Sequence, residues 1–173
     1  MNIDMRHIKF LKRVKGKGTL LHTVPTPGRA GGFYTLAKDL WDMMESMAEE
    51  EHYDIFLVDE ELIADLRKTM LLLEDLGGPT LPGIDVMDMD IEFIKRKEHE
   101  YKGSWKKRGG VGAFMMLARK WDRIEPQTEK YDGDLALAIK NDQRTEGILD
   151  DIRDLRCYLM LVEAEQLSRR TYA

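Results

Sequence analysis

Apolar residues recur along this chain at steps of three and four, and nowhere do several segments alternate apolar and polar residues as half-buried strands do. Near the C-terminus Ile148, Ile152, Leu155, Leu159 and Val162 mark one stripe of a long helix over about 144 to 168. Leu36, Leu40, Met43, Met44 and Met47 repeat the spacing over 35 to 51, and Leu62, Ile63, Leu66, Met70 and Leu73 repeat it over 59 to 76. This pattern predicts an all-α fold, a helical bundle of about five to six helices.

The remaining boundaries follow from punctuation. Asp59, with Glu60 and Glu61, supplies a cap and first-turn acids for the second helix, and Gly77-Gly78-Pro79 stops it. The alternation over 85 to 90 is taken as a helix start, so a third helix spans about 88 to 102, buries Ile91, Ile94 and Tyr101, and ends at Gly103. A fourth begins after Gly109-Gly110-Val111-Gly112, carries Phe114, Met115, Leu117, Ala118, Trp121 and Ile124, and stops at Pro126. A short helix covers 131 to 140. Methionine is frequent, 11 in all, and at helical spacing is expected as core filler.

With 173 residues the chain has the length of one domain. Residues 1–33 read as a basic arm, with Arg6, Lys9, Lys12, Arg13, Lys15, Lys17 and Arg29 against Asp4 and with Pro25, Pro27, Gly28, Gly31 and Gly32 breaking helix; residues 34–173 form a single all-α domain. Gly16-Lys17-Gly18-Thr19 lacks the earlier glycine and the preceding strand of a phosphate loop. A net charge of −5 argues against a protein that coats nucleic acid. Cys157 is the single cysteine and sits in an apolar helical pattern, which predicts a packing role, no internal disulfide, no thiolate zinc cluster and a cytoplasmic setting. No segment has the roughly 18 apolar residues of a membrane span, and no signal-peptide core follows Met1.

Two stretches carry candidate chemistry. On the last helix Asp151 and Asp154 are three apart beside the apolar stripe, and Glu146, Asp150 and Asp154 form a row at steps of four, close enough on a helix to share a divalent cation. The same spacing suits a solvated acidic face. Upstream, Glu98, Glu100 and Tyr101 precede Trp105, then Lys106, Lys107 and Arg108 lead through glycines into a helix start, where backbone amides and side-chain charge together suit a phosphate and Trp105 suits a base. Arg119, Lys120 and Arg123 extend that basic face, which serves equally as a charged loop and helix surface. Glu49-Glu50-Glu51 reads as a solvated helix end. His7, His22, His52 and His99 show no metal-binding pair and are expected at the surface, and no nucleophilic triad can be assembled.

Taken in order, Glu100-Tyr101-Lys102-Gly103-Ser104-Trp105, Arg119-Lys120-Trp121-Asp122-Arg123, and Glu146, Asp150, Asp154-Leu155, Tyr158 resemble the phage and bacterial branch of the MazG-like all-α nucleoside triphosphate pyrophosphohydrolases, over about residues 90 to 165. The resemblance implies hydrolysis of a (d)NTP to (d)NMP and pyrophosphate, including purine (dGTP/GTP) pool control in a phage, in a homodimer or homotetramer. It implies Mg2+, with Mn2+ as a substitute, in a carboxylate site between facing helices. Carried over by position, Glu98, Glu146, Asp150, Asp151 and Asp154 are metal ligands, Glu100, Asp151 and Asp154 catalytic groups, and Tyr101, Trp105, Lys106, Lys107, Arg108, Arg119, Lys120, Arg123 and Tyr158 substrate contacts. The family's E-x-x-E is absent here, because Glu98 and Glu100 are two apart and diverge on a helix. Residues 1–85 match nothing in the family. The competing expectation is a non-catalytic helical protein, an oligomeric scaffold or a nucleic-acid partner working through its basic patches.

Overall fold

The computed structural model describes residues 30–75 and 86–172. Six α-helices carry them: α1 (Ala30–Glu50), α2 (Glu60–Asp75), α3 (Val86–Tyr101), α4 (Gly109–Glu129), α5 (Leu135–Lys140) and α6 (Ile148–Tyr172). Single 3-10 turns at Ile55–Leu57 and Ser104–Lys106 join them, so the all-α bundle predicted by the periodicity is the fold.

Helix α6 is the centre. It packs along α2 on one side and α4 on the other, while α1 packs on α2. Stacked rings close the ring of helices between α1 and α4: the Trp41 and Trp121 centroids are 5.4 Å apart, and Tyr34 stacks on Trp121 and Trp41 on Phe114. The predicted stripe Ile148, Ile152, Leu155, Leu159 and Val162 is fully buried. Burial does not stop there, because between Leu155 and Leu167 only Tyr158 and Glu165 keep appreciable exposure. A helix enclosed on several sides must bury its polar face too, and each polar group then needs a partner.

Those partners are specific. Arg156 donates from Nε and Nη2 to Asp90 of α3 at 2.6 and 2.9 Å and from Nη1 to Glu74 of α2. Arg153 Nε reaches the other Glu74 oxygen at 2.6 Å. Glu163 pairs with Arg67, and Gln166 Nε2 donates to the Val58 carbonyl at 2.7 Å. Removing one member of such a buried pair costs about 3–5 kcal/mol, so these contacts fix which turn of α6 faces α2 and α3.

Element ends differ from the sequence expectation where loops compete. Helix α1 starts at Ala30, inside the stretch expected to be a non-helical arm, and residues 1–29 lie outside the described residues. Helix α4 starts at Gly109 and passes through Pro126, which removes one helix bond, and the Lys130 amide still closes on the Pro126 carbonyl at 3.3 Å. Helix α5 starts only at Leu135, because Asp132 and Gly133 take left-handed φ values of 54° and 80° and Asp134 caps the Leu137 amide. Helix α6 starts at Ile148, because the Asp142 carboxylate accepts the Ile148 amide at 2.6 Å and the Arg144 amide at 3.2 Å and holds 144–147 as a loop. Asp59 caps α2 through the Glu61 and Leu62 amides, as expected, and Gly103 closes the turn after α3 at φ 74°. The Gly77-Gly78-Pro79 stop falls outside the described residues. Met44, Met70 and Met160 fill the core, but Met43, Met89 and Met115 are exposed. Among the described residues no helix is long and apolar enough to cross a membrane.

Candidate functional site

A cleft of about 570 Å³ opens where α3, the Ser104–Lys106 turn and α4 meet the first half of α6. Six of the residues singled out in the sequence line it: Glu98, Trp105, Glu146, Asp150, Asp154 and Tyr158. Phe93, Ile94, Met116, Cys157 and Leu161 form apolar wall between them, with Lys97 and Ser104 at the rim. The volume is that of a small-molecule site, with apolar wall and polar groups in nearly equal share.

Local structure explains the placement. Asp150 and Asp154 are one turn apart on α6, and Asp150 Oδ2 accepts the Gly147 amide at 3.1 Å. Glu146 was expected on the same helix row but lies in the loop before it; Arg123 Nη2 donates to its carbonyl at 3.2 Å. Gly147 admits that loop, since a Cβ there would stand 2.6 Å from Asp142 Oδ2. Trp105, expected to stack on a base, is 6% exposed, with its ring edge-on to Phe56 at 5.9 Å; it can offer the cleft only the rim of the indole.

Asp151 is not in the cleft. It is buried among bases of α4 and the loop before α6, with Arg123 Nε at 3.3 Å, Arg144 Nη2 and Lys120 Nζ each at 3.9 Å, and Oδ2 receives no hydrogen bond. Burial pushes its carboxyl above the usual range, and Arg123, Lys120 and Arg144 pull the other way. Lys120 also reaches Asp154 at 2.8 Å. Asp142 is held down to about 2, chiefly by the Arg144 guanidinium. Lys120 and Arg123, expected to take substrate phosphate, are thus committed to carboxylates of α6.

The other expected residues are scattered. Glu100 is exposed and 3.9 Å from Lys97. Lys106 pairs with Glu165 at 2.9 Å. Lys107, Arg108 and Arg119 are exposed away from the cleft, and the Tyr101 side chain lies outside the described residues. The turn before α4, expected to bind phosphate, is already faced by a carboxylate. A Cβ on Gly110 would stand 1.6 Å from Asp54 Oδ1, which also accepts the Phe56 amide, so Asp54 occupies the ground a phosphate was expected to take. His52 and His99 are exposed, as expected.

A second carboxylate region escaped the sequence analysis. Asp42, Glu45 and Glu49 of α1 border Asp122, Glu125 and Glu129 of α4 along the outer seam of the two helices. Glu129 takes the Tyr34 hydroxyl at 2.8 Å and Lys38 at 3.0 Å, and Glu125 takes Trp121 Nε1 at 2.6 Å. Asp42, Glu45, Glu49 and Asp122 have no ion pair among the described residues. Partial burial and then Asp122, Asp42, Glu125 and Glu49 raise the Glu45 carboxyl. The spacing of three and four was legible on each helix; that α1 and α4 are neighbours was not.

Among the described residues no three His, Cys, Asp or Glu side chains converge tightly enough to hold an ion unaided. The cleft's anionic donors are nonetheless the carboxylates Glu98 on the α3 side and Glu146, Asp150 and Asp154 on the α6 side, and carboxylate oxygen is the chemistry of a hard cation. Mg2+ in particular is usually held by one or two carboxylates together with water and substrate phosphate, so this donor set fits it. No protein-family model, curated protein or solved structure matches this chain.

Proposed function

We propose that the cleft between α3 and α6 binds a nucleoside triphosphate with Mg2+ and hydrolyses it to the monophosphate and pyrophosphate. The observation that carries this is the convergence of Glu98 of α3 with Glu146, Asp150, Asp154 and Tyr158, at and before the start of α6, on one cleft of nucleotide size with apolar wall between them. The ordered resemblance to MazG-like enzymes adds a reaction to that geometry.

The chain's own groups divide the work. Phe93, Met116 and Leu161 offer apolar surface to the nucleoside, with Tyr158 beside them. Glu146, Asp150 and, across the cleft, Glu98 are the carboxylates that would hold the cation. Bound Mg2+ supplies charge neutralisation at the phosphate oxygens and lowers the pKa of coordinated water. Asp154, at the cleft wall and 2.8 Å from Lys120, is placed to take the proton from water attacking the α-phosphorus as the bond to the β-phosphate oxygen breaks. Lys120, paired with Asp154 behind the cleft wall, holds that carboxylate in position rather than touching the substrate. Glu100 and Asp151 take no direct part, the first facing solvent and the second buried against Arg123 outside the cleft lining.

The test is product analysis. Purified protein with Mg2+ or Mn2+ is incubated with each of the eight common NTPs and dNTPs. At least one should yield pyrophosphate and monophosphate in equal amounts. Release of orthophosphate alone would make it a different phosphohydrolase, and no turnover on any of them would end the proposal.

A further inference from the structure

The loop 141–147, between α5 and α6, brings one carboxylate, Glu146, to the cleft, and the charges around the loop hold its backbone. Arg123 of α4 uses two nitrogens on two targets: Nη2 donates to the Glu146 carbonyl at 3.2 Å, while Nε faces Asp151 Oδ2 of α6 at 3.3 Å. Arg144 comes from the loop itself. Its Nε and Nη2 donate to the two Asp142 oxygens, each at 3.0 Å, and Nη2 lies 3.9 Å from the same Asp151 oxygen. One oxygen of a buried carboxylate thus gathers a base from α4 and a base from the loop.

Asp151 sits next to Ile152 of the apolar stripe, is 1% exposed, and has no hydrogen bond to Oδ2. A carboxylate buried there requires opposite charge nearby. It receives that charge from the two guanidiniums whose remaining nitrogens fix the loop. We infer that Asp151, Arg123 and Arg144 are positioning residues: they latch the 141–147 loop to α4 and α6 and thereby set the Glu146 carboxylate at the cleft. The cation role of Glu146 comes from the proposed function, and the latch from these contacts alone.

Asp150 and Asp154 need no such device, because α6 holds them one turn apart. Glu146 stands outside the helix, and a ligand carboxylate on a loop has a fixed place only if a supporting shell gives it one. Gly147 belongs to the same device. A Cβ there would meet Asp142 Oδ2 at 2.6 Å, and Asp142 cannot swing aside without releasing Arg144 and the Ile148 amide. Gly147→Ala therefore loosens the latch while every charge is kept.

Two readouts test this, with circular dichroism confirming the fold of each variant. Hydrogen exchange of the free protein is followed at times too short for the buried turns of α6 to exchange, and pyrophosphate release is followed over a Mg2+ titration with the best nucleotide substrate. Arg123→Met and Gly147→Ala should each speed exchange over 142–148 and raise the Mg2+ concentration for half-maximal activity about 10- to 100-fold, with kcat at saturating Mg2+ falling by a smaller factor. Glu146→Gln should raise the same Mg2+ constant and leave loop exchange as in the wild type, because the latch holds the Glu146 backbone. Joining Arg123→Met to Glu146→Gln should add nothing to the Mg2+ constant of Glu146→Gln alone, since the latch acts through that carboxylate. Arg123→Lys, which keeps the charge and loses the second contact, should lie between wild type and Arg123→Met. Unchanged loop exchange in Arg123→Met, an unchanged Mg2+ constant, or effects of Arg123→Met and Glu146→Gln that multiply would each overturn the inference. A wild type that releases no pyrophosphate ends the proposed reaction instead, and the loop exchange, which needs no substrate, then decides whether the latch stands.

Discussion

The two carboxylate regions of this protein have similar spacing in sequence and opposite surroundings in the fold. At the start of α6, each of Asp142, Asp151 and Asp154 faces a base from α4 or from the 141–147 loop. At the α1–α4 seam, Asp42, Glu45, Glu49 and Asp122 face one another. The first arrangement holds a loop and a helix end in place and leaves Glu146, Asp150 and Asp154 along a cleft. The second is an outer surface of like charges. Carboxylates at steps of three and four mark neither a metal site nor a solvated face until the neighbouring helix is known.

Removing the bases is the hardest blow to the paired regions. Arg156→Met, which strands Asp90 and Glu74 in the core, should lower unfolding free energy by about 3–5 kcal/mol in urea denaturation. Arg123→Met should cost about 2 kcal/mol, less than a fully buried pair because Lys120 and Arg144 remain beside Asp151, and much of that loss should vanish when Asp151→Asn is added. The seam should respond with the opposite sign. Glu45→Gln removes a like charge and should leave the monomer unchanged or stabilise it by a few tenths of a kcal/mol.

Acid titration separates the regions at the smallest scale. Glu45 has a folded pKa above its unfolded value, so its ionised form is disfavoured in the fold, and stability rises as pH falls through that folded value. Asp142 is the reverse: held at about 2 against an ordinary 3.8, it contributes stability above the ordinary value and loses it as pH falls toward 2. Thermal melts from neutral pH downward should show a gain, shared with Asp151, that Glu45→Gln reduces, followed by a loss that Asp142→Asn reduces.

Much of the fold was legible because apolar spacing alone decides where helices run, and the α6 stripe is buried residue for residue. What was not legible depends on long-range contacts. Arg156, Glu163 and Gln166 look like a polar face, and only their partners on α2, α3 and the Val58 carbonyl allow that face inside. The Asp142 cap moved the start of α6 and took Glu146 off the helix, although Glu146 still lines the cleft. Lys120 and Arg123 looked like phosphate ligands because a sequence shows charge without its counter-charge. The Gly109-Gly110 turn looked like a phosphate seat for the same reason, with Asp54 hidden 56 positions upstream of Gly110.

The central claim, that the cleft and not the seam carries the chemistry, is tested by pyrophosphate release on the best nucleotide substrate with Mg2+, comparing Asp154→Asn and Glu146→Gln with Asp122→Asn and Asp42→Asn at protein concentrations that keep all of them in the wild-type oligomeric state. The account predicts a fall in kcat/KM of roughly 100-fold or more for the cleft pair and near wild-type turnover for the seam pair. Full activity in the cleft variants together with loss in the seam variants would contradict it.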